Sequence, residues 1–95
     1  MSKAEFGSNT TLDRESRRNK IEELSGESID KIDEVALFLQ SRDGYHASYE
    51  VTTVVAALAL SDEHGLFPDE DFAGLFGISE FRLSDAIRQY RRVMR

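Results

Sequence analysis

DFAGLFGISEFRLSDAIRQYRRVM, residues 71–94, is the stretch on which the fold turns. Leu83, Ile87, Tyr90 and Met94 recur at intervals of four, three and four, so residues 79–94 carry one apolar stripe at helical period. Phe72, Leu75 and Phe76 give residues 69–76 a matching apolar face. Between them lies Gly77, a residue free to take positive φ in a sharp turn. The spacing predicts a short helix, a tight turn and a longer helix whose apolar faces meet.

Upstream, VTTVVAALAL (51–60) is the most apolar segment of the chain. Its β-branched residues, Val51 to Val55, suit a strand as well as a helix. The alanine- and leucine-rich half that follows is strongly helix-forming, and no hairpin partner flanks it. A buried central helix over 49–63 is expected, with Ser48 as cap, Gly65 as stop and Asp69 capping the next short helix. Before it, Ser28 and Gly44 bracket a helix over 29–42 with Ile29, Ile32, Ala36 and Leu39 on one face and Val35 at its edge. Leu37 and Phe38 fall off that face, so this helix is apolar nearly all round. Either a neighbouring segment covers both sides or a second subunit docks on Leu37 and Phe38, which makes a homodimer an expectation. Ile21 and Leu24 give residues 11–25 a sparser stripe, with Thr11 as cap and Gly26 as stop. The mixed-charge run at 14–20 reads as a solvated face, and residues 1–10 as a flexible tail.

Ninety-five residues is the size of one domain. The absence of cysteine excludes a disulfide framework and a thiolate metal site. No apolar run is long enough to cross a bilayer, and the N-terminus lacks the apolar core of a secretory signal, so a cytoplasmic protein is expected. The net charge of −6 is unevenly spread. Residues 1–78 hold seven Lys/Arg against sixteen Asp/Glu, whereas residues 79–95 hold five Arg against Glu80 and Asp85. The molecule is therefore an acidic body with a basic C-terminal helix.

The residues at the turn resemble the helix-turn-helix family of DNA-binding proteins over 71–94, about a quarter of the chain. Apolar Phe72 precedes small Ala73, which permits close helix approach; Phe76 precedes Gly77; Ile78 plugs the turn and Leu83 anchors the next helix. Where the pattern carries a further large apolar residue this chain has Ala86, with Ile87 beside it. The resemblance implies a three-helix core and DNA as partner. It sets Glu80, Phe81, Ser84 and Asp85 on the outward, groove-facing start of the second helix, and Ser79, Glu80, Phe81 and Ser84 are the residues expected near bases.

Arg88, Arg91, Arg92 and Arg95 project from one side of the helix, about 120° from the apolar stripe, where a guanidinium fork can hold two phosphate oxygens. With Arg82 they are the expected phosphate contacts. Against this, Glu80 and Asp85 sit where they would repel phosphate, and exposed Phe81 equally suits a protein groove. The run Glu22, Glu23, Glu27, Asp30, Asp33 and Glu34 is a solvated acidic face or, functionally, a mimic of nucleic-acid charge. DEHGLFPDEDF (62–72) fails as a calcium loop because Leu60 takes the place of its first ligand. His46 and His64 each lack a second ligand at useful spacing, so no metal and no cofactor are expected, and no nucleophile or phosphate-cradle motif suggests an enzyme.

The expectation is an all-α, single-domain bundle of about five helices. Residues 11–42 form a helical hairpin and residues 49–94 a helix-turn-helix-like core. Its function is that of a small cytoplasmic regulatory protein binding DNA. The alternative is an acidic protein-binding adaptor or inhibitor of the phage and plasmid accessory type.

Overall fold

A computed structural model describes residues 14–61, 66–67 and 69–94. Readings made for the 1–10 tail, Thr11, Asp62, Glu63, His64, Gly65, Pro68 and Arg95 lie outside the described residues. The fold is all-helical, with α1 Arg14–Ser25, α2 Ile29–Gln40, α3 Tyr49–Leu60, α4 Glu70–Leu75 and α5 Glu80–Val93. Each of the last four starts on a side chain that accepts from its first turn: Ser28, Ser48, Asp69 and Ser79.

α3 is the axis of the bundle and packs against α1, α2 and α5. Every residue from 51 to 58 is buried. Burial on all sides outweighs the few tenths of a kcal/mol by which valine and threonine disfavour a helix. The two threonines are accommodated by local bonds, Thr52 Oγ1 donating to the Ser48 carbonyl at 2.6 Å and Thr53 Oγ1 to that of Tyr49 at 2.9 Å.

Several boundaries fall short of the sequence expectation. α2 stops at Gln40 rather than Arg42, because the Ser41 hydroxyl and amide both turn back onto the Phe38 carbonyl. α3 stops at Leu60, with the Ser61 amide bonded to the Ala57 carbonyl at 3.0 Å. Met94, expected in the inward stripe of α5, is 41% exposed. It lies beyond the last helical turn, and the stripe consists of Leu83, Ala86 and Ile87, extended by half-buried Tyr90 and Val93.

The charged runs also differ from their expected solvated roles. Arg18 pairs with Asp33 at 2.7 Å, and the same carboxylate accepts from the Tyr49 hydroxyl at 2.9 Å. That bond from Asp33 holds the Arg18 guanidinium above its ordinary range. Arg17 lies 5.2 Å from the centre of the Phe76 ring and 3.6 Å from Glu50. Glu22 accepts from the Ile29 amide at 2.6 Å and so joins the end of α1 to the start of α2. The acidic face is thus thinned, since two of its six carboxylates hold helices together.

Candidate nucleic-acid interface

The turn between α4 and α5 is built on two backbone hydrogen bonds. Gly77 takes φ +64, its amide donates to the Gly74 carbonyl at 3.4 Å, and the Ile78 amide donates to that of Ala73 at 3.0 Å. This pair of bonds closes α4 and turns buried Ile78 back under it. Phe72, Ala73 and Leu83 are buried where the two helices meet. Ala86, at 1% exposure, is buried between Leu83 and Ile87 on the inward stripe of α5. α4 also leans on α1, so the hairpin of α1 and α2 closes over the leading side of the unit.

This packing leaves the opposite side of α5 open. At 100° per residue, Phe81, Asp85, Arg88 and Arg92 form one outward ridge, all exposed. Phe81 is 76% exposed, the most open large apolar side chain among the described residues. Ser79 and Glu80 are exposed at the helix start, where Ser79 Oγ accepts from the Arg82 amide at 3.1 Å and Glu80 complements the helix dipole. Ser84 is half-buried on the shoulder. Thus the structure brings Ser79, Glu80, Phe81 and Arg82 to one exposed end and Arg88, Arg91 and Arg92 to the other.

The guanidinium groups are tethered to different degrees. Arg88 reaches Asp85 at 3.4 Å, an exposed pair of small energetic weight. Asp85 also accepts from Gln89 at 3.0 Å, so its charge is shared with two donors on α5. Arg91 donates to the Leu66 carbonyl at 2.7 Å and Arg92 to that of Gly44 at 3.4 Å. A guanidinium has five N–H donors. One bond to a carbonyl orients the group and leaves the rest for an anion. Arg82 makes no ion pair among the described residues.

The loop before α3 adds a contact that local sequence did not reveal. Arg42 donates to the Val93 carbonyl at 2.8 Å, and the His46 amide donates to Gln89 Oε1 at 2.7 Å. Gly44 runs so close to α5 that a Cβ there would meet Val93 Cγ1 at 3.6 Å, and its φ of +91 favours glycine. Arg42 therefore stands beside Arg92 at the end of α5, although fifty-one residues separate it from Val93. A groove lined by His46, Ser48, Phe81, Arg82 and Asp85 runs between this loop and the first half of α5.

No group of three His, Asp or Glu side chains is placed to hold a metal ion among the described residues. None of their helices is long and apolar enough to cross a membrane. No family model, curated protein or solved structure matches the chain.

Proposed function

We propose that the chain is a small cytoplasmic regulatory protein that binds duplex DNA by laying α5 in the major groove. The observation that carries this reading is the built turn: Ala73 buried, Gly77 at positive φ and Leu83 buried, with the far side of α5 open. Ser79, Glu80, Phe81 and Ser84 face the bases. Arg82, Arg88, Arg91, Arg92 and Arg95 meet phosphates, and Arg42 joins them from the neighbouring loop. The acids on this face have structural explanations that weaken the objection they raise. Glu80 sits at a helix start, and Asp85 is bonded to Arg88 and Gln89. Selection from a pool of random duplexes at low salt tests the reading. Enrichment of a shared sequence supports it, and recovery of no duplex above background rejects it.

One observation favours the alternative, a protein-binding adaptor or inhibitor. Phe81 stands open beside a groove, in a molecule whose first 78 residues are strongly acidic. On that reading the same surface captures a protein, and the duplex selection fails while Phe81→Ala abolishes capture.

A further inference from the structure

The inward face of α2 is complete without Leu37 and Phe38. Ile32, Ala36 and Leu39 are fully buried, yet Leu37 is 61% and Phe38 47% exposed. The Phe38 ring is partly covered by the Arg42 guanidinium, 5.5 Å from its centre. At 100° per residue Asp30, Glu34, Leu37, Phe38 and Ser41 share the outward side of the helix. This side has Asp30 and Glu34 in its first half with exposed Lys31 at their edge, an apolar pair in the middle, and Arg42, followed by Asp43, just beyond its end. A face ordered in this way complements itself when turned end for end.

We propose that this surface is the contact between two copies of the chain, with their α2 helices packed antiparallel. A two-fold axis at Phe38 sets residue 34 of one copy opposite residue 42 of the other, because each lies four positions from it. Phe38 and Leu37 fill the centre, and a Glu34–Arg42 ion pair closes each flank. The Arg42 guanidinium lies over the Phe38 ring while it donates to the Val93 carbonyl at the end of α5, and it keeps further donors for the partner carboxylate. A second copy is the occupant that fits, since the required basic end, apolar middle and acidic start are all present in this chain. One short helix per copy buries less than the roughly 1,200 Å² of a standard interface, so the association is weak. The inference rests on the exposed pair Leu37 and Phe38 and not on the DNA reading, although Arg42 is common to the two surfaces.

Sedimentation equilibrium of the full chain tests it, from low to high micromolar concentration. The average mass rises toward twice that of the monomer. Phe38→Ala, at an exposed position, weakens association about tenfold or more while leaving the melting temperature near that of the parent. Glu34→Arg and Arg42→Glu are each poorly associating alone, and an equimolar mixture of the two associates again, because both flanking pairs are then opposite in sign. A monomer at the highest concentration overturns the proposal, whatever else covers Phe38. So does association indifferent to Phe38→Ala, or a mixture of the charge variants that associates no better than each alone.

Discussion

α3 buries every residue from 51 to 58, whereas α5, of similar length, buries one stripe and turns an aromatic, a carboxylate and two guanidinium groups outward. The same backbone geometry serves as a buried axis in one case and leaves an open side in the other. The difference lies in the width of the apolar sector. α3 has neighbours on three sides, so even its threonine hydroxyls are folded back onto its own carbonyls. α5 has a narrow sector made of Leu83, Ala86 and Ile87, flanked by half-buried Tyr90 and Val93, which seats the helix and leaves the side of Phe81, Asp85, Arg88 and Arg92 open.

The largest effects should follow that division. Leu58→Ala on α3 and Leu83→Ala on α5 each remove a fully buried side chain and should cost about 2–5 kcal/mol in urea unfolding. Phe81→Ala, though it deletes a larger group on the same helix as Leu83, should change stability by no more than about 0.5 kcal/mol. Equal losses at positions 81 and 83 would mean that α5 is enclosed on both sides and is no working surface.

The turn comes next in size. A Cβ on Gly77 meets nothing within 4 Å, so the penalty of Gly77→Ala is set by φ +64 alone and should be about 1–2 kcal/mol. A neutral result would show that the turn takes a different backbone conformation. Asp33→Ala removes the partner of both Arg18 and the Tyr49 hydroxyl, and a loss of about 1–2 kcal/mol is expected in thermal unfolding.

The turn, the caps and the central helix were legible from sequence because each rests on neighbours in the chain. Gly77 lies beside the residues it connects, and Ser28, Ser48, Asp69 and Ser79 each cap amides within three positions. Helix ends were less so: Met94 continues the period of α5 on paper but lies past its last turn. What sequence concealed was the fate of individual charges. Arg18 meets Asp33 across fifteen residues, and Arg42 meets Val93 across fifty-one. No local pattern separates such side chains from solvated ones, and only the docking of α1 and of the α2–α3 loop selects them. The outward side of α5 is basic in the sequence, but only the fold sets Arg42 beside it.

The smallest effect concerns Tyr45, which is buried with a hydroxyl that has no well-formed hydrogen bond among the described residues. Burial pushes its phenol up from the ordinary value of 10.0, and the nearby Thr52 hydroxyl offsets only part of this. A raised folded value means stability that is present below pH 10 and is lost as pH climbs through the folded value. Tyr45→Phe should therefore be neutral or slightly stabilising at pH 7 and should flatten the alkaline fall in melting temperature. A clear loss at pH 7 would show that the hydroxyl is bonded after all.

Fluorescence anisotropy of a labelled duplex, titrated with the full chain over a series of salt concentrations, tests the DNA reading most directly. The account predicts affinity that falls linearly on logarithmic axes, with the slope made shallower by about two when Arg88→Ala and Arg92→Ala are combined. Phe81→Ala should weaken binding without altering that slope. Binding that is absent at low salt, or that keeps its slope in the double arginine variant, would contradict it.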